Sequence, residues 1–121
     1  MKKILFITLI LLAGLALSGC TNKDNTATSS SKGDVLLFVS ETCGHCAEVK
    51  KYIADNDIAS KVDYREIEAF SSQINSNLFD EKAAACGIPE NQRGVPLLFD
   101  GEKCYVGSVE VKDYFKNKAG I

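Results

Sequence analysis

The chain is poor in histidine and methionine, two of the residue types that hold soft metal ions. Among 121 residues it has one histidine, one methionine and no tryptophan. The methionine is Met1 and the histidine is His45, so no Met-rich or His-rich segment supports metal handling. An excess of charge of one sign is also missing: 14 basic residues face 16 acidic ones, a formal charge of −2. That balance gives no reason to expect nucleic acid or an anionic lipid surface as a partner. Internal repeats are absent, and there is one long apolar run, residues 4–17, broken only by Thr8 and Gly14. It falls short of the ~20 residues that cross a bilayer comfortably.

That run follows Lys2 and Lys3, the arrangement of a secretory signal peptide. It ends in Leu17-Ser18-Gly19-Cys20, which resembles the lipobox of bacterial lipoproteins. The resemblance implies cleavage before Cys20, a diacylglycerol on its thiol and acylation of the new amine. Several acyl chains hold a protein at a bilayer where one holds it only marginally. The expected location is therefore extracytoplasmic, lipid-anchored to the periplasmic or cell-surface face of a bacterial membrane. Three parts follow: residues 1–19 as signal, residues 20–32 as lipidated cysteine and flexible tether, and residues 33–121 as one folded domain. The tether is polar and rich in Ser, Thr and Asn, without apolar periodicity. Loss of Lys2 and Lys3 with the signal moves the formal charge of the mature chain from −2 to −4.

Cysteine usage points to chemistry. With Cys20 committed to lipid, Cys43, Cys46, Cys86 and Cys104 remain, an even set for an oxidising compartment. Cys43-Gly44-His45-Cys46 stands directly behind the apolar run at residues 35–39, which reads as a buried strand, and before a segment that reads as a helix. Two cysteines at this spacing close a small reversible disulfide when a helix begins at the first. The N–H groups and partial positive charge of the helix N-terminus stabilise a thiolate there.

The rest of the domain reads as follows. Thr42 is expected to cap the first helix, with Val49, Tyr52 and Ile53 inward. Residues 61–67 alternate as a second strand. Residues 71–85 form a second helix with Phe70, Ile74, Leu78 and Ala85 near helical spacing. Residues 95–99 are a third strand, Asp100-Gly101 a hairpin turn and residues 103–106 a fourth strand. Ser108 is expected to cap a last helix that buries Val111, Tyr114 and Phe115 and stops at Gly120.

The order β-α-β-α-β-β-α with CxxC after the first strand resembles the thioredoxin superfamily in its minimal, glutaredoxin-sized form. The resemblance covers nearly all of residues 33–121. It implies an α/β three-layer sandwich with a four-stranded mixed sheet. Gly94-Val95-Pro96 matches the family's cis-proline loop, and Gly107 matches a glycine common after the fourth strand. By that resemblance Cys43 is the nucleophile and Cys46 the resolving thiol. Pro96 lies beside them, and the backbone of Val95 pairs with the incoming substrate, with Thr42 and Gly44 flanking. The tetrapeptide CGHC is the one found in protein disulfide isomerases, so His45 is assigned a tuning role. No cofactor and no metal is implied.

Two departures stand out. The buried aspartate that thioredoxin carries six residues before its nucleophile is replaced by Leu37, and its tryptophan before the motif by Thr42. Glu41 or Glu66 are the candidates to replace the missing acid. Cys86 and Cys104 leave three readings open: a structural disulfide, a second redox pair relaying electrons to Cys43 and Cys46, or two free buried thiols. The function expected is a thiol–disulfide oxidoreductase of undetermined direction, monomeric, acting on exported cysteine-containing proteins or a membrane redox partner. Soft-metal (copper) binding or chaperoning through the CxxC is the competing reading.

Overall fold

The computed structural model describes residues 34–121. The signal at residues 1–19, the lipidated Cys20, the tether to residue 32 and the domain start at Gly33 lie outside the described residues. Within them run four strands, β1 (Leu36–Val39), β2 (Arg65–Glu68), β3 (Leu97–Phe99) and β4 (Cys104–Val106), and three longer helices. These are α1 (Gly44–Asp55), α2 (Gln73–Ala85) and α3 (Gly107–Ala119), in the chain order β1-α1-β2-α2-β3-β4-α3. The sheet order is β2-β1-β3-β4, with β1 and β2 parallel and β3 antiparallel to both β1 and β4.

Alternation along the strands divides the core in two. Leu37, Val39 and Leu98 face α1 and α3, where Cys46, Val49, Ile53, Val111, Tyr114 and Phe115 complete one buried layer. Leu36, Phe38, Ile67, Leu97 and Phe99 face α2 and its Phe79 and Ala83. Helices on both faces of a mixed four-stranded sheet make this an α/β, thioredoxin-like, three-layer fold. The strand directions also gather one end of the sheet. Val39 lies level with Glu68, Phe38 with Leu97, and Leu97 with Val106. The loop carrying Cys43, the segment after β2, Pro96 and Gly107 therefore all emerge at that end.

The second helix departs from expectation. It begins one residue after Ser72, whose hydroxyl accepts the Asn75 N–H at 3.2 Å. Its buried face is Phe79, Lys82 and Ala83, while Ile74 is 76% exposed, Phe70 57% exposed and Ala85 exposed. Leu78 only flanks the core. The helix is too poor in large apolar residues to declare its own phase. The rotation is set by Phe79, packed edge-on against Phe38 with centroids 5.5 Å apart. Lys82 is buried along its stem, with Nζ over the Phe99 ring and 2.7 Å from Glu81.

Two further expectations are corrected. The third helix is not capped by Ser108: it starts at Gly107, and Val106 precedes it with no side-chain cap. Gly107 adopts φ +84 and donates its N–H to the Pro96 carbonyl at 2.9 Å, while the Glu110 carboxylate reaches back to the Val106 N–H at 2.8 Å. The second strand begins at Arg65 and not at residue 61: the Lys61 and Val62 N–H groups both donate to the Ile58 carbonyl at 2.9 Å, closing the single helical turn Ile58–Ser60 that buries Ile58.

Cys86 and Cys104 are joined as a disulfide, Cα to Cα 6.0 Å, tying the C-terminal end of α2 to the first residue of β4. Cys104 lies level with Phe99 and, through it, with Leu36. It is thus at the far end of the sheet from the Cys43 loop, about 10 Å away along β1 alone. The bond closes a loop over a sequence separation of 18. Replacing both cysteines by alanine is expected to lower unfolding stability by about 3 kcal/mol, read by urea denaturation.

Candidate redox site

The site is built at the junction of β1 and α1. Four buried apolar residues carry the chain to the sheet edge, and a turn closed by the Cys43 N–H on the Ser40 carbonyl at 3.2 Å redirects it into the helix. Cys43, and not Thr42, is the N-cap. Its backbone is extended, with φ −98 and ψ 114, and its sulfur accepts the Cys46 N–H at 3.1 Å. A sulfur in this place takes the role that a Ser or Asp oxygen has in an ordinary cap. Thr42 is exposed, its hydroxyl 3.3 Å from that of Ser40.

The two cysteines have opposite environments. Cys43 is half-buried, and its thiol lies 3.5 Å from the Val95 carbonyl as donor. Cys46 has no exposure at all. Burial, first, pushes the Cys46 thiol up to about 12; the hydrogen bond and the charge shared with Cys43 push the same way. A backbone hydrogen bond from Ser40 and the nearby Lys50 ammonium work against that rise. Both sulfurs are free thiols in this structure.

The Val95–Pro96 peptide is cis, and Pro96 is fully buried. The loop is fixed on its other side by the hydrogen bond from Gly107 to Pro96, so β4, α3 and the proline loop brace one another beside Cys43. Gly44 opens α1 on the exposed side, and a Cβ there would meet nothing within 4 Å. His45 is also exposed, 75% at the side chain, and pairs with Glu48 at 3.5 Å.

The structure therefore brings Cys43, Cys46, Val95 and Pro96 together, with Thr42, Gly44 and His45 on the solvent rim. It does not bring Cys86 or Cys104 to them. Of the two candidate acids, Glu66 stands level with Leu37 on β2 and pairs with Lys50 Nζ at 2.8 Å, and Glu41 acts on Lys50 through its charge. Because Ile67 points to the α2 layer, its neighbour Glu66 points to the α1 side, where Lys50 stands. Lys50 was not singled out by sequence reasoning. The signal for it is its spacing, one helical turn beyond Cys46. Among the described residues no group of three or more His, Cys, Asp or Glu side chains is placed to hold a metal ion.

The buried thiol has a consequence for stability. An unfolded cysteine ionises near pH 8.5, whereas Cys46 in the fold keeps its proton to about 12. Between these values the unfolded chain binds fewer protons than the folded one, so stability falls as pH rises; below pH 8 the contribution is fully present. Under the same reductant, unmodified protein should lose about 1.4 kcal/mol per pH unit above pH 9 relative to Cys46→Ala, read by denaturant unfolding. Equal slopes for the two proteins would sink the assignment.

No family model matches the chain, and no curated protein matches it. Among solved structures it is similar to a buckwheat glutaredoxin crystallised as a glutathione complex, at 24% identity and TM-score 0.48, over 73% of this chain and 71% of that one. A wheat glutaredoxin aligns at 24% identity and TM-score 0.49, over 73% and 72%. A glutaredoxin from Archaeoglobus fulgidus aligns at 17% identity and TM-score 0.48, over 69% and 86%.

Proposed function

We propose that this chain is a membrane-anchored, extracytoplasmic thiol–disulfide oxidoreductase that reduces, forms or reshuffles disulfides in exported proteins or a membrane redox partner. The observation that carries the reading is the position of the Cys43 sulfur. It is half-exposed, held between the Cys46 N–H and the Val95 carbonyl, with the Cys46 thiol buried directly behind it. In the reducing direction the Cys43 thiolate attacks one sulfur of a client disulfide and the other client sulfur leaves as thiolate. Cys46 then attacks Cys43, the mixed disulfide breaks, and the client departs with two electrons while Cys43 and Cys46 become bonded. The forming direction is the reverse. The anchor rests on Leu17-Ser18-Gly19-Cys20 and the apolar run before it, and the tether would concentrate the domain near membrane-bound clients.

A polypeptide client fits the surroundings of Cys43. Phe70, Ile74, Val106 and Val109 are exposed large apolar residues, and all four lie on segments that emerge at the Cys43 end of the sheet. Grouped exposed apolar residues of this kind favour contact with another apolar chain.

The reading is tested on the chain from Cys20 onward, with Cys20→Ser, by titration in thiol/disulfide buffers. Cys43 and Cys46 should cycle as one two-electron couple that Cys43→Ser abolishes. A potential near thioredoxin's, about −270 mV, makes it a reductase; one near the isomerase's, about −180 mV, makes it an oxidant or isomerase, a difference of ~4 kcal/mol. A pair that does not cycle overturns the reading. Val109→Asp should lower kcat/KM on a protein disulfide about fivefold, ~1 kcal/mol of lost apolar contact, and leave a small aryl disulfide untouched.

A further inference from the structure

Cys46 must ionise to attack the mixed disulfide on Cys43, and must leave as a thiolate in the opposite direction. Its surroundings oppose this on nearly every side. β1 and β3 present Leu37, Val39 and Leu98, α3 presents Val111 and Phe115, and α1 adds Val49. The α3 cation on this seam, Lys112, is directed to Glu48 at 4.0 Å, and Glu48 also holds His45. Besides Cys43 and the Ser40 backbone, the charge acting on Cys46 is Lys50. Glu66 and Glu41 act on Lys50 in turn, and the Tyr64 hydroxyl feels both Glu66 and Lys50.

Lys50 is four residues beyond Cys46 on α1, on the neighbouring turn of the same helix side. Residues four apart on a helix are neighbours on its surface, so Lys50 stands beside Cys46 on α1. Its ammonium, on a side chain 44% exposed, pairs at 2.8 Å with the Glu66 carboxylate on β2, the strand beside β1. That hydrogen bond, first, also holds the ammonium protonated beyond the usual lysine range, so the group is a cation at any working pH.

We propose that Lys50, anchored by Glu66, is a positioning residue for the resolving step, its cation stabilising the Cys46 thiolate whenever the Cys43 mixed disulfide forms or breaks. This rests on the oxidoreductase reading above. In the step itself the Cys46 thiol gives its proton to solvent, and the thiolate attacks the Cys43 sulfur. The Cys43–Cys46 bond forms, the bond from Cys43 to the client sulfur breaks, and the departing client thiolate takes a proton from solvent. No outside oxidant or reductant is needed. Because the charge acts on Cys46, its loss slows resolution without touching the first attack by Cys43.

The test uses the full chain with Cys20→Ser in detergent, reduced at Cys43 and Cys46, mixed rapidly with excess chromogenic aryl disulfide. Attack by Cys43 releases one equivalent of coloured thiolate and resolution by Cys46 releases a second. Lys50→Met should leave the first phase unchanged. It should slow the second about tenfold at neutral pH, the lower end of what one nearby opposite charge does to an ionising group. The pH profile of the second phase should move to higher pH, and Lys50→Arg should restore it. An unchanged second phase, or equal slowing of both phases without rescue by arginine, overturns the role of Lys50. If the unmodified chain shows no second phase, the oxidoreductase reading fails instead, which is a distinguishable result.

Discussion

Residues Leu36, Leu37, Phe38 and Val39 have water on neither side: each is at most 1% exposed. Full burial of such side chains contributes roughly 2 kcal/mol apiece, so this one strand supplies apolar stabilisation comparable to the whole net stability of a small domain. The strand cannot slip by one residue without exchanging the contents of the two core layers. Its end is therefore fixed relative to both α1 and the proline loop, and Cys43 inherits that position. The hydrogen bonds from Cys46 to Cys43 and from Gly107 to Pro96 act on a frame already set by β1.

The same frame explains why two cysteines three residues apart differ so much. Cys43 is the residue before the helix and stays at the sheet edge, while Cys46 is one turn in and falls on the buried stripe with Val49 and Ile53. The two thiols are thus separated by helical geometry and not by any difference in their own chemistry. The result is that the Cys46 thiol lies in an apolar layer, where ionisation is disfavoured unless a charge reaches it. With Leu37 in the core, no carboxylate extends from β1 into that layer, and the polar side of the problem moves to the rim between α1 and β2.

How much of this was legible in the sequence follows from where the signals are strong. β1, the CxxC behind it and the buried face of α3 are dense in large apolar residues, and their patterns match the structure. The second helix has only Ile74, Leu78 and Phe79 as large apolar residues, two of them adjacent, so periodicity could not choose the face. Docking against Phe38 chose it. The caps misled for a related reason. Thr42 and Ser108 are good capping residues, but at Cys43 a thiol takes the cap, and at α3 a positive-φ glycine and the Glu110 carboxylate do. Lys50 and Glu66 carry no motif at all; only the parallel pairing of β2 with β1 brings them to one place.

Placing two cysteine pairs in one small domain invites the idea that electrons pass between them, and the topology argues against it. The Cys43 loop leaves β1 at its C-terminal end, whereas Cys104 sits level with the start of β1, behind β3. Thiol–disulfide exchange needs sulfur to meet sulfur. A relay would therefore require α2 or β4 to cross the length of the sheet, stripping Leu97 and Phe99 of the layer they share with Phe79. The bond between Cys86 and Cys104 instead ties that layer together where α2 ends and the proline loop begins its return to the site. Stability and chemistry are thus assigned to opposite ends of one sheet, with β1 as the rigid element between them.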